Sequence, residues 1–272
     1  MADSGKRKMS DDPAGQQKRR KGGNRWQKGQ ASTARSGIET GDWGVFVTCE
    51  IGRESKCAAE VIDLFTQSVE QSVKTENDDE SDEDEGEDDI EAQIKKEIEG
   101  LKPGKKKSSL FESVKFDLPC IIFVRFDKSI DPEKLVYQIC LDAHANPDKK
   151  RSRYIQRLTP ARSIRKTLSV DLDAFAREIL KPHFHSGGPP KKYAIRPSVR
   201  GNKKFGRDVI IKTVASIVGP EHPVDLTNYD LVILVDIVQN IMSMSVAGSD
   251  YDKLKRFNLA ELYSPNIALR EA

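Results

Sequence analysis

Leu231-Val-Ile-Leu-Val-Asp-Ile-Val238 is an eight-residue run with one polar member, Asp236. A near-continuous series of β-branched and aliphatic residues marks a strand covered on both faces, hence one in the middle of its sheet. Gln239-Asn240 is a tight turn into Ile241–Val246, which reads as the returning strand. Upstream, Val224-Asp-Leu-Thr-Asn-Tyr-Asp230 leads into the central strand. Arg207–Val218 places Val209, Ile210, Val214 and Ile217 at helical spacing, which predicts that all four face inward. Lys192–Val199 reads as another strand. Val170-Asp-Leu-Asp173 caps a helix reaching about Phe184, with Leu172, Phe175, Ala176, Ile179 and Leu180 inward. The order α-β-α-β-β describes an α/β unit over 145–248 with its core at 161–248.

A second pattern precedes it. Trp43–Cys49 is a β-rich run, and Gly52 to about Val73 carries Cys57, Val61, Leu64 and Phe65 at helical spacing. Leu110–Lys115 and Cys120–Phe126 read as strands around a turn. Asp131-Pro132-Glu133 opens a helix, Asp as N-cap and Pro at the first helical position, with Leu135, Val136, Ile139 and Cys140 as its buried face. Arg153–Leu158 reads as a strand closed by Thr159-Pro160. The order β-α-β-β-α-β over 42–160 is a ferredoxin-like split unit. The expected class is therefore α/β (α+β), two units in series, with residues 249–272 as a loosely attached tail.

Charge is segregated along the chain. Residues 75–91 hold twelve acids and no base, so the formal net charge of +2 conceals +14 elsewhere. Self-repulsion of that density prevents a core, and about 74–108 reads as a disordered acidic insert, ending in a charged helix from Ile90 to Leu101. Ser81, upstream of acids, fits an acid-directed kinase. Residues 1–41 read as a disordered basic arm in which Trp26 could stack on a base. Lys6-Arg7 and Lys18-Arg19-Arg20-Lys21, ten residues apart, have the spacing of a bipartite nuclear-import signal, so the expected location is the nucleus, with the nucleolus within it. Between Lys150 and Lys212 seventeen Lys and Arg face four acids, an excess that favours a polyanionic partner.

Catalytic and metal chemistry find little support. Cys49, Cys57, Cys120 and Cys140 lack CxxC spacing and read as small buried hydrophobes. No apolar run reaches the roughly 18 residues needed to span a bilayer, and the N-terminus has no apolar signal region. No GxGxxG turn is present. Ser186-Gly-Gly-Pro-Pro190 resembles the start of a PP-loop but lacks its later Asp-Ser, and reads as a linker. Pro119-Cys120 has no CxxC or HxE partner, which excludes a zinc deaminase. His183 and His185 read as a cationic helix end. No cofactor is expected.

The second unit resembles the THUMP domain, a module of RNA-modifying enzymes. The resemblance rests on Arg157-Leu-Thr-Pro160, the basic loop Arg200–Arg207, and Val224–Asp230 leading into the strand that holds Asp236. It covers about 43–247. Two departures stand out: Tyr229 replaces a frequent proline, and the basic loop lacks a frequent histidine. The resemblance implies a ferredoxin-like unit ahead of THUMP and a grip on the tRNA acceptor end. The combination with an acidic tract resembles the subfamily of non-catalytic adaptors for tRNA cytidine acetylation. It implies leucine and serine tRNAs as partners, a D-arm cytidine converted to acetylcytidine, and a separate RNA cytidine acetyltransferase that does the chemistry. The other reading is a general RNA-binding factor in ribosome or RNA biogenesis. The expected RNA contacts are Arg157, Arg162 and Arg165 after the last ferredoxin-like strand, Lys191, Lys192 and Arg196 around the first THUMP strand, and Arg200, Lys203, Lys204 and Arg207 in the loop and helix start.

Overall fold

The computed structural model describes residues 37–78, 110–168 and 171–264. The basic arm with Lys6, Arg7, Lys18, Arg19, Arg20, Lys21 and Trp26, nearly all of the acidic insert with Ser81, and the helix expected over 90–101 lie outside the described residues.

The first half is β1 (Gly44–Cys49), α1 (Glu54–Asp78), β2 (Phe111–Lys115), β3 (Ile121–Phe126), α2 (Pro132–Ala145) and β4 (Ile155–Ala161). Its sheet has the order β2-β3-β1-β4 with every pair antiparallel, the ferredoxin-like arrangement. Strand alternation sorts its residues. Val45, Val47, Ile122 and Val124 face α1 and α2, where Cys57, Val61, Leu64 and Phe65 meet Leu135, Val136, Ile139 and Cys140. Phe46, Ile121 and Phe123 face the other way, onto Ile164, Val238 and Ile241 of the second sheet. Asp131 caps α2, accepting hydrogen bonds from the Glu133 N–H at 2.9 Å and the Lys134 N–H at 3.2 Å. Gly44 is required by close approach, since a Cβ there would stand 2.0 Å from the Val124 carbonyl oxygen.

β4 does not stop at Thr159-Pro160. It runs through both, with Pro160 opposite Val45, because β4 is the sheet's edge and a missing N–H is tolerated there. After Arg162 the chain enters β5 (Ser163–Lys166), the edge strand of the second sheet. This strand was not anticipated, having four residues of which only Ile164 is apolar and buried.

The second half is α3 (Leu172–Phe184), β6 (Tyr193–Arg200), α4 (Arg207–Val218), β7 (Leu231–Val238) and β8 (Ile241–Gly248), in the sheet order β5-β8-β7-β6. β7 is interior, as its composition predicts, parallel to β6 and antiparallel to β8. Ile195, Ile233, Val235, Ile237, Met242 and Met244 pack on α3 and α4. On α4 the inward residues are Ile210, Val214, Ile217 and Val218, whereas Val209 is 54% exposed. It lies about 100° round the helix from Ile210, outside the stripe.

The expected tail is packed. Beyond β8 a left-handed turn at 255–257 and a short helix, α5 (Leu259–Leu262), bury Tyr251, Leu254, Phe257, Leu259, Leu262 and Tyr263 against the first core. Residues 265–272 lie outside the described residues.

Candidate nucleic-acid interface

Alternation along β6 turns Tyr193 and Ile195 toward the helices and sends Ala194, Arg196, Ser198 and Arg200 to the opposite face. Register places Ser198 beside Asp236 and Asp236 beside Ser243. That face looks toward the first sheet, where β4 contributes Arg157. Between them is a cleft of about 260 Å³. Arg157, Arg196, Arg200 and Arg207 line it, with Arg256 from the C-terminal segment. Phe46, Ile121 and Tyr251 supply apolar wall, and among the described residues Asp236 is the one carboxylate that lines it.

The cleft's polar groups are unequally satisfied. Among the described residues, the Nε atoms of Arg157 and Arg196 are buried without a hydrogen-bond partner, as are the hydroxyls of Ser243 and Ser245 on the same face of the sheet. Arg196 donates through Nη2 to the Leu226 carbonyl at 3.1 Å and lies 3.6 Å from Asp252. Burial pushes the Asp236 carboxyl up, to about 6, against the Ser198 hydroxyl and the positive charges of Arg200 and Arg157, which pull it down. Five arginines around one carboxylate leave the cleft with an excess of positive charge and of donors, which an oxyanion with several lone pairs can meet. The arrangement is suited to a phosphodiester.

The loop after β6 forms the rim. Gly201, at φ +64, turns the chain where a side chain would press on Leu118 and Gln239. Asn202 organises the rest, accepting from the N–H groups of Lys204 and Phe205 and donating to the Gln239 carbonyl at 2.6 Å. Lys203, Lys204 and Arg207 are exposed there. No side chain caps the start of α4 at Gly206, so its first-turn amides add their own attraction for anions.

The ten expected contacts therefore do not form one patch. Arg157, Arg196, Arg200 and Arg207 share the cleft, and Lys203 and Lys204 stand on its rim. Arg162 instead pairs with Glu133 at 3.0 Å and Asp131 at 3.3 Å. Arg165 pairs with Glu178 at 2.9 Å, donates to Ser163 and the Ile164 carbonyl, and covers the Phe175 ring. Lys191 donates to the His183 carbonyl at 2.9 Å, and Lys192 lies 3.4 Å from Asp225. Lys192 and Arg200 are at opposite ends of β6, roughly 26 Å apart at strand rise. The cationic helix end expected of His183 and His185 is also revised. Burial, aided by the charges of Arg162 and Lys191, holds His183 below the ordinary histidine range. The His185 ring stands 2.9 Å from the Ile217 carbonyl and ties α3 to α4.

One cleft residue, Arg256, lies in 249–272, which the sequence pattern predicts to be a loose tail and the structure packs against the first core. The apolar series Tyr251, Leu254, Phe257, Leu259 and Leu262 carried the missing signal. Tyr229 has a visible use, since its hydroxyl donates to Asp252 at 2.7 Å. Of the cysteines, Cys49, Cys57 and Cys140 are buried, with burial pushing each thiol up, while Cys120 is half-buried in a turn. Among the described residues no group of His, Cys, Asp and Glu side chains is placed to hold a metal ion, and no helix is long and apolar enough to cross a membrane.

Residues 169–247 match the family model described as the THUMP domain. An uncharacterized protein of Schizosaccharomyces pombe is 37% identical over 233 residues, covering 84% of this chain and 78% of its own. The tRNA acetyltransferase TAN1 of Saccharomyces cerevisiae is 32% identical over 250 residues, covering 83% and 86%. THUMP domain-containing protein 1 of Mus musculus is 31% identical over 249 residues, covering 88% and 69%. The chain belongs to this family of THUMP-domain proteins, and its two-sheet α/β fold is the frame on which the family's domain is carried.

Proposed function

We propose that the protein is a tRNA-binding adaptor for tRNA acetylation, and that it grips RNA in the cleft between its two sheets. The observation that carries this reading is a cleft of about 260 Å³ lined by Arg157, Arg196, Arg200, Arg207 and Arg256 around a single carboxylate, Asp236, among the described residues. A backbone phosphate meets that positive charge, and an unstacked base can lie on the apolar wall. The name of the yeast relative, tRNA acetyltransferase, supports RNA acetylation as the process served. In this reading the chain is not itself an enzyme. It presents a D-arm cytidine of leucine and serine tRNAs to a separate RNA cytidine acetyltransferase, in the nucleus. The acceptor end lies in the cleft, and the ferredoxin-like unit sets the distance from there to the D-arm.

If about five phosphates are neutralised, log affinity falls against log salt with a slope of roughly −3.5 to −4.5. The deciding experiment measures acetylcytidine in leucine and serine tRNAs from cells lacking the protein, complemented with wild type or with Arg157→Ala plus Arg196→Ala. Loss of the modification, restored by wild type and not by the variant, is expected. Normal acetylcytidine without the protein would refute the adaptor role. tRNA binding measured alongside would then favour the reading as a general RNA-binding factor.

A further inference from the structure

Beyond β8 the chain does more than finish the core. Tyr251, Leu254, Phe257, Leu259 and Leu262 anchor it, with the Tyr251 and Phe257 rings edge to face at 4.9 Å. Between the anchors Lys255, Arg256 and Phe257 have φ values of 52°, 56° and 59°. Three successive left-handed residues, none of them glycine, meet a steric penalty at each position. Strain of this kind persists only where the surroundings over-determine it, and it collects at ligand sites.

Here the surroundings are the anchors and Asp252. That carboxylate accepts from Arg256 Nε at 2.7 Å and from the Tyr229 hydroxyl at 2.7 Å, and lies 3.6 Å from Arg196 Nη2. Burial opposes its ionisation, but the hydrogen bonds from Arg256 and Tyr229 outweigh it and hold the carboxyl below the ordinary range. One acid thus links β6, the loop before β7 and the C-terminal turn. With Nε committed, the remainder of the Arg256 side chain, 56% exposed, stands at two openings. One is the inner cleft. The other is a hollow of about 330 Å³ shared with Arg157 and Lys255. Asp252 and Glu261 also border the hollow, so among the described residues three cations face two carboxylates there; Asp252 is held by Arg256 and Tyr229, and Glu261 accepts from the Asn258 amide at 2.6 Å.

We propose that Arg256 and Lys255 form an outer phosphate subsite, which takes the phosphodiester next to the one held in the inner cleft, and that Asp252 is the positioning residue that aims Arg256. This rests on the reading of the cleft as the RNA site and extends that site past residue 247, where the matched family model ends.

The test is fluorescence anisotropy of a labelled tRNA titrated with the full chain across a salt series. Arg256→Ala weakens binding about tenfold and makes the salt slope shallower by about 0.7, the loss of one single-strand phosphate contact. Asp252→Asn weakens binding too, and the combined variant binds more tightly than the product of the two losses, because Asp252 acts through Arg256. A thermal melt run alongside separates loss of the phosphate contact from loosening of the turn, since Arg256 also holds Asp252. Wild-type affinity and slope in Arg256→Ala would overturn the outer subsite. Fully additive losses would overturn the positioning role of Asp252. Failure of the underlying reading looks different: wild type would not bind tRNA, or charge reversal at Arg200 and Arg207 would leave binding unchanged.

Discussion

Two sets of cations border the second half of the molecule, and they differ in what they face. Arg162 and Arg165 each meet carboxylates within hydrogen-bond reach. Arg157 and Arg196 line the cleft with Nε atoms that have no hydrogen-bond partner among the described residues, and the nearest carboxylate to Arg196, Asp252, stands off at 3.6 Å. A guanidinium whose outer Nη donors already meet carboxylates within hydrogen-bond reach, as in Arg162 and Arg165, gains little from a phosphate, because it must exchange one oxyanion for another. One that keeps donors without a carboxylate in hydrogen-bond reach gains a charge-assisted hydrogen bond. The density of Lys and Arg along the chain measures neither situation; the difference lies in the partners that folding supplies.

The comparison can be broken most forcefully at the cleft. Arg200→Glu combined with Arg207→Glu puts two acids where phosphate is expected, and tRNA affinity should fall by about 100-fold or more at low salt, by filter binding. Circular dichroism should show an unchanged fold, because Arg200 and Arg207 are exposed. The opposite set sharpens the contrast. Arg162→Ala removes the ion-pair partner of the largely buried Glu133, and urea unfolding should show a loss of about 1–2 kcal/mol while tRNA affinity holds.

Asp236 supplies a smaller effect with a definite sign. Its folded-state carboxyl is raised to about 6, so the folded chain holds this proton more tightly than the unfolded one. Its contribution to stability therefore declines as pH rises from about 4 through 6. Protonation also removes the negative charge from the cleft. Wild-type tRNA binding should strengthen severalfold as pH falls through about 6, and Asp236→Asn should bind more tightly at pH 7.5 and lose most of that dependence. The smallest effect lies outside both sets. Gln239 opens the β7–β8 hairpin at φ 53°, and Gln239→Gly should raise stability by up to about 1 kcal/mol in a melt, with no change in binding.

Much of the fold was legible because it depends on local pattern. The uninterrupted Leu231–Val238 run places β7 in the sheet interior, and Asp131-Pro132 fixes the start of α2. The exceptions have local causes. β5 has one buried apolar residue in four, too few to register as periodicity. The C-terminal segment follows neither the helical nor the strand period, because its anchors are spaced by a left-handed turn. The site was legible only in part. Arg196 and Arg200 could be placed on one face from β6 alternation alone, but Arg157 joins them through the packing of two sheets and Arg256 through that turn. Arg165 looks no different from Arg157 in the sequence until Glu178 is brought beside it by α3.

The central claim is that RNA lies in the inter-sheet cleft, and photocrosslinking tests it most directly. A tRNA carrying a photoreactive nucleotide at its 3′ end would be irradiated with the full chain and the attached peptides located by mass spectrometry. The account predicts attachment within 196–207 and 251–257. Attachment confined to 162–192, among the paired cations, would contradict it.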